Sequence, residues 1–294
     1  MKPVLKFVIP LILLAVLAAA CTSTQTPSAP AASPTSVSTP TPTQPPLAIN
    51  INGVGITLDE YQQELLRLQD AQTALGTTST PDEQKQKVVD DFTDQLLLAQ
   101  GAAQAGFTVD DATLQQRLDQ LAAKMGGQDQ LTAWETTNHY TDATFKDALR
   151  RSIAVAWQRD QIINSVPTTA DQVHARQILV QTQETANELL AQLKAGADFA
   201  TLALTYDPVT GGDLGWFPQG YLTQPEVEAA AFALQPGQFS DVIKSAIGYH
   251  IIYVIERDPQ HQLTPDARRV LQEKKLTEWL DAAKAASQVT TNIP

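Results

Sequence analysis

The chain has 294 residues, 43% of them hydrophobic, enough for two modest domains with real cores. Its 32 acidic residues against 20 Lys and Arg give a formal net charge of -12. That balance excludes a nucleic-acid binder, which needs clustered cations to neutralise phosphates. A single Cys excludes an intramolecular disulfide, and the 4 His form no ligand cluster, so neither a metal nor a cofactor is expected.

Lys2 and Lys6 flank the start of an apolar run, Phe7 to Ala20, that ends in small residues. The run falls short of the roughly 20 residues of an ordinary spanning helix and fits a secretory signal. The lone Cys21 follows at once, in the position of the lipidated Cys of a bacterial lipobox. One departure is Ala18, where Leu is preferred; Leu17 lies one residue further back. Residues 1–21 are therefore read as a signal with lipobox. Residues 22–46 carry 7 Pro, 12 Ser or Thr and no charge, the composition of an extended tether.

From 47 to 170 the pattern is helical, after a short β-type piece, INGVGI. Thr57 and Glu60 frame a capping box, with Tyr61, Leu65, Leu66 and Leu68 following. Thr80, Pro81 and Glu83 open a second helix that Gly106 ends. A third runs from near Asp110 to Gly126 and Gly127, a short one holds Leu131 and Trp134, and Thr141 caps a long one.

After Thr169 the texture changes. VHARQILVQ alternates as a strand, Gly196 closes a helix, and DFATLALTY gives a second short helix. A Gly-rich loop, the helix PEVEAAAFAL, a short strand near FSDVI and a final strand YHIIYVIE complete residues 171–258. One amphipathic helix, capped by Thr264 and Pro265, occupies 259–294 and is expected to return to the first module. The fold class is α+β, a mostly helical module beside a small domain with a central antiparallel sheet.

The Gly-rich loop, GGDLGWFPQG, fits no phosphate cradle. It has neither the P-loop nor the dinucleotide spacing, no Lys follows, and Asp213 would repel an anion. It reads as a turn needing positive φ, with Trp216 and Phe217 packed beneath it.

HARQILV, TYD, GGDLGWF, PEVEAAAFAL and GYHIIYV, in that order, resemble a parvulin-type peptidyl-prolyl isomerase domain. The flanking helices are similar to the PrsA/SurA class of extracytoplasmic foldases. The resemblance implies catalysis of X-Pro isomerisation in unfolded or partly folded exported chains. It implies no cofactor, and it places the protein at the outer face of the membrane on its lipid anchor. Asp207 stands where the family has a Cys or Asp facing the substrate carbonyl, and His250 matches the distal His of the family's pair. Leu222, Val227 and Phe232 fall at the family's proline pocket, with Phe217 beside them; the Val makes it shallower. Gln177 stands where the family usually has the other His. His174 is no substitute, because strand alternation turns residues 173, 175 and 177 one way and 174 and 176 the other.

Two further readings stay open. The isomerase domain, with Gln177 and Val227, is a weak or inactive catalyst on a chaperone; or the chain is a solute-binding lipoprotein, against which the long helical half argues. Asp207 before Pro208 also fits plain turn chemistry, and His250 a satisfied core histidine. Lipidation at Cys21 predicts that Cys21→Ser leaves an unlipidated precursor or a released protein. Mass spectrometry of the native N-terminus checks this, and a free thiol at 21 or cleavage elsewhere would defeat it.

Overall fold

The computed structural model describes residues 45–293; the signal, Cys21 and the tether up to residue 44 lie outside the described residues. Contacts gather them into two compact units, one ending at Gln158 and taking up the chain again from Ala282, the other Arg159–Asp281.

In the first unit, β1 (Leu47–Ile51) and β2 (Val54–Thr57) form a hairpin. Its two-residue loop, Asn52-Gly53, has φ of 54° and 86°. Positive φ at both positions is what a tight antiparallel turn requires, and Asn-Gly is the pair that tolerates it best. A strand the sequence pattern did not reveal, β7 (Val289–Thr291), pairs with the other edge of β1. Gln288 N–H donates to Asn52 Oδ1 at 3.0 Å and Asn292 N–H to Ala48 O at 2.8 Å, which pins the tail there.

Five helices start in this unit. α1 (Leu58–Leu75) is capped by the Thr57 side chain, which accepts from Glu60 N–H. α2 (Pro81–Gln104) has the full capping box, Thr80 and Glu83 each satisfying the other's backbone N–H. α3 (Asp111–Met125), α4 (Gln128–Thr137) and α5 (Asp142–Asn164) follow. Leu114, Leu118, Leu121, Leu131, Phe145 and Leu149 form one buried cluster of α3, α4 and α5. Arg151 and Glu60 make a 2.6 Å ion pair, both largely buried, that ties α5 to α1. Leu66 and Leu75, on α1, stay exposed.

The second unit is an antiparallel four-stranded sheet in the order β4-β3-β6-β5. Its strands are β3 (Thr169–Val180), β4 (Asp213–Pro218), β5 (Ile243–Ser245) and β6 (Gly248–Gln262). Helices α6 (Gln183–Lys194), α7 (Phe199–Tyr206), α8 (Pro225–Ala233) and α9 (Pro265–Ala285) complete it, the last turn of α9 falling in the first unit. The two faces of the sheet carry separate cores. Ile178, Val180 and Ile251 pack with Ala186, Leu189, Leu193 and Phe199 of α6 and α7. Val173, Ala175, Ile252 and Val254 pack with Phe217, Val227 and Ala231.

Two expectations are corrected in detail. GGDLGWF is a turn only at Gly211-Gly212; from Asp213 it is the edge strand β4, with Phe217 paired to Val173. The strand near FSDVI starts at Ile243, because Ser240 Oγ accepts Ile252 N–H and takes the place of a ladder carbonyl. By contacts the second unit runs from Arg159 to Asp281 and takes in most of the final helix. Gln272 Nε2 donates to Ile163 O at 3.1 Å, and Leu263 N–H to Thr168 O at 2.8 Å, closing α9 on the end of α5.

Gly212 is a hinge of this layout. At φ +70°, a Cβ on it would lie 1.9 Å from the Gln177 carbonyl oxygen, whose neighbouring N–H in turn donates to Gly212 O at 2.8 Å. Gly215 has a similar φ of +66° but open space around it. Gly212→Ala is expected to cost about 3–4 kcal/mol, strain plus clash, and Gly215→Ala about 1–2 kcal/mol, strain alone. Urea unfolding of the two variants checks the difference; equal losses would refute the steric reading of Gly212.

Candidate active site

The pairing of β3 with β6 sets Gln177 opposite Ile252 and Leu179 opposite His250. Residues two apart share a face, so Gln177 and His250 are diagonal neighbours on the same side of the sheet. Their side chains meet: His250 Nδ1 lies 2.9 Å from Gln177 Oε1. His250 Nε2 lies 2.7 Å from Ser245 Oγ, and Ser245 Oγ accepts from Ile247 N–H at 3.1 Å. A carboxamide oxygen only accepts, so Nδ1 carries the proton and the Ser245 hydroxyl donates to Nε2. The imidazole is 1% exposed. Burial holds its pKa below the usual 6.5, against a smaller opposing pull from Glu226. The ring is thus neutral, in one tautomer, and the carboxamide nitrogen of Gln177 is left as a donor with no protein partner among the described residues.

Asp207 closes α7 and faces its own loop. Its carboxylate accepts from the Thr210 hydroxyl, from Val209 and Thr210 N–H at 3.1 Å each, and from Gly212 N–H at 3.3 Å. These bonds, led by the Thr210 hydroxyl, hold its pKa at about 2. Gly212 in turn is bonded to Gln177 N–H, so Asp207 reaches the strand of Gln177 through one residue. Its carboxylate oxygens are taken up by the turn, an anchoring role for the loop at the mouth of the site.

The apolar part lies on the same face of the sheet. Phe217 and Val227 are buried, at 0% and 2% exposure, and form a floor. Leu222 and Phe232 are half-buried above it, and the rings of Phe217 and Phe232 meet edge to face at 6.1 Å. Arg257 stands 5.6 Å over the Phe232 ring and is itself held by Asp171 at 2.6 Å. Glu228 accepts from the N–H groups of Gly220, Tyr221 and Leu222 at 2.6, 2.9 and 3.0 Å, so the segment carrying Leu222 is fixed from α8.

Apart from Cys21, which lies outside the described residues, the site residues read from the sequence fall in this one unit, yet they do different things. Gln177 and His250 touch, Leu222 and Phe232 offer surface, Val227 and Phe217 underlie them, and Asp207 serves the loop. His174 points to the other face, 2.9 Å from Asp213, beside Trp216, which stacks on His261 at 4.0 Å. Ser245 and Glu228 were missed. Ser245 had one signal, its place in the hairpin that leads into His250; Glu228 reads as an ordinary helix-surface acid until the fold brings three N–H groups to it.

The small antiparallel sheet that carries this amide–imidazole pair beside an apolar cluster is that of a domain of the parvulin class. Residues 162–258 match the PPIC-type PPIASE domain, and residues 3–148 the SurA-like N-terminal domain. The "Foldase protein PrsA" of Caldanaerobacter subterraneus subsp. tengcongensis is 31% identical over 233 residues, 69% of this chain and 71% of that protein. The chain belongs to the PrsA foldase family. That of Geobacillus sp. (strain WCH70) is 40% identical over 122 residues, 40% of this chain and 44% of that protein, so the match spans less than half of that relative. A crystal structure of peptidylprolyl isomerase PrsA from Bacillus anthracis is 26% identical, covering 67% of this chain and 95% of that one, with a TM-score of 0.42.

The buried imidazole gives the fold a pH signature. Between the unfolded value near 6.5 and the lower folded value, the unfolded chain binds more protons. His250 therefore leaves stability intact above that value and withdraws it as pH falls below it. Nitrogen-15 NMR of the ring is expected to show protonation at Nδ1 and a midpoint below 6.5; an Nε2–H tautomer or a raised midpoint would contradict the hydrogen-bond chain.

Proposed function

We propose that the chain is a lipid-anchored peptidyl-prolyl isomerase and foldase acting on exported polypeptides at the outer face of the membrane. The observation that carries the catalytic part is the Gln177–His250–Ser245 chain beside the pocket rim of Leu222 and Phe232. Rotation about a peptide bond faces a barrier of about 18–20 kcal/mol, most of it amide resonance. No bond breaks, so the site needs no nucleophile and no group to carry electrons. A pocket that takes the proline ring strips water from the amide, and a nearby N–H donor favours the twisted state, in which the nitrogen lone pair becomes an acceptor. The free carboxamide N–H of Gln177 supplies such a donor, and His250 fixes its direction. Lowering the barrier by about 4–6 kcal/mol accelerates exchange roughly 10³–10⁴-fold.

The foldase part is supported by the helical unit. Leu66 and Leu75 are exposed on α1. A groove of about 280 Å³ between α3 and α5 is lined by Leu121, Leu149 and Ile153 together with Gln116, Arg117 and Gln120. Exposed apolar side chains such as Leu66 and Leu75 take up unfolded segments that have not yet buried their own. Anchoring rests on Cys21 and on the uncharged tether, whose Pro-rich composition would hold the units away from the membrane surface.

The test is exchange of cis and trans X-Pro peptides, followed with wild type, Gln177→His and His250→Ala. Wild type is expected to accelerate exchange. His250→Ala removes the group that orients the carboxamide and should lower kcat/KM about tenfold or more. Gln177→His meets a ring nitrogen that already presents a proton and should raise kcat/KM about tenfold, or roughly 1.4 kcal/mol in the transition state. A folded wild-type protein without activity would leave the second reading, a chaperone with an inactive domain. Equal or lower activity in a folded Gln177→His variant would refute the role given to this position.

A further inference from the structure

We propose that Glu228 is the positioning residue of the substrate pocket, holding the Gly220–Leu222 segment so that Leu222 forms one wall for the proline ring. The proposal rests on the isomerase reading above and goes beyond the residues that the family resemblance supplies. The segment between β4 and α8 has no ladder of its own: β4 ends at Pro218 and α8 begins at Pro225. Its consecutive N–H groups at 220, 221 and 222 all point at one carboxylate. Oε1 of Glu228 accepts from Gly220 at 2.6 Å, and Oε2 from Tyr221 and Leu222 at 2.9 and 3.0 Å. Bonds from backbone N–H to an ionised carboxylate are among the stronger hydrogen bonds, and three to one group fix direction as well as distance.

The surroundings connect this clamp to the pocket. Tyr221 and Leu222 pack against the cluster that holds Phe217, Val227 and Ile252. Val227, immediately before Glu228, is the pocket floor, so one turn of α8 supplies both the floor and the clamp of the wall. Gly220 has φ +88°, a conformation that turns its N–H into the nest, and a Cβ there would lie 2.5 Å from Lys274 Nζ of α9. The segment is therefore closed in on its outer side as well, and Glu228 is the one group that bonds all three N–H donors. Leu222 touches substrate in this arrangement; Glu228 acts through it.

Glu228→Gln keeps size and one acceptor oxygen but turns an NH₂ toward backbone donors. The full chain, with Glu228→Gln, Leu222→Ala and the double variant, is assayed with the tetrapeptide Ala-Ala-Pro-Phe carrying a 4-nitroanilide. Glu228→Gln is expected to raise KM about fivefold with kcat changed less than about twofold. The amides of Tyr221 and Leu222 should exchange with deuterium at least about tenfold faster, while sheet amides of β3 and β6 keep their protection. The double variant should lose no more than Leu222→Ala alone, because both changes remove the same wall. Unchanged KM, or losses that multiply in the double variant, would overturn the proposal. If Glu228→Gln does not fold, Glu228→Asp, which keeps the charge and shortens the reach, is read in the same way. Wild type that fails to turn the peptide over sinks the isomerase reading, and the proposal is then decided by the peptide's dissociation constant, which must weaken in Glu228→Gln; an equal constant sinks it.

Discussion

The register of β3 against β6 is the constraint on which the site depends. Pairing runs from Thr169 with Gln262 to Val180 with Tyr249. A slip of one residue would exchange the two faces of the sheet. Gln177 would then sit among Ile178's present neighbours under α6 and α7, and His250 would lose Gln177 while keeping Ser245, which β5 brings beside β6. The apolar residues that prevent the slip are not themselves chemical: Ile178 opposite Ile251 on one face, Ala175 opposite Val254 on the other. Each face is sealed by different helices, so either core alone resists the shift. The geometry of the Gln177–His250 pair is thus secured by packing, within a frame that hydrophobic burial has already set.

The same economy appears at the loops. Asp207 and Glu228 are both carboxylates whose oxygens are occupied by backbone N–H groups of a nearby turn. Each orders a segment that lacks regular secondary structure. One sets the turn that brings Gly212 against Gln177; the other sets the segment that brings Leu222 over Val227. Two irregular segments are thus fastened to the sheet domain by single carboxylates, without a larger core.

Local signals were legible in the sequence and distant ones were not. Thr57, Thr80 and Asp110 announce helix starts because a cap and its donor lie within three residues. The side on which Gln177 lies followed from alternation, and it survived two irregularities of the β3–β6 ladder. His174 faces Glu256 and Ala175 faces Val254, so the extra residue, Ile255, sits in β6 and the alternation of β3 is untouched. Strand β7 was invisible, since Val-Thr-Thr in a polar tail becomes a strand only by finding β1 at the other end of the described chain. The partition of the final helix was equally hidden, because it depends on Ile163 and Thr168 offering carbonyls to Gln272 and Leu263. The pocket residues came from resemblance to the family. Folding then separated those that present surface, Leu222 and Phe232, from those that lie under it, Phe217 and Val227.

The assignment of the cleft is tested most directly by intermolecular NOEs between the protein and a bound X-Pro peptide. Proline ring protons are expected to show NOEs to the Leu222 methyls and the Phe232 ring, with the carboxamide protons of Gln177 close to the prolyl nitrogen side of the same bond. A peptide that binds with its proline against other surfaces, and gives no NOE to Gln177 or Leu222, would contradict it.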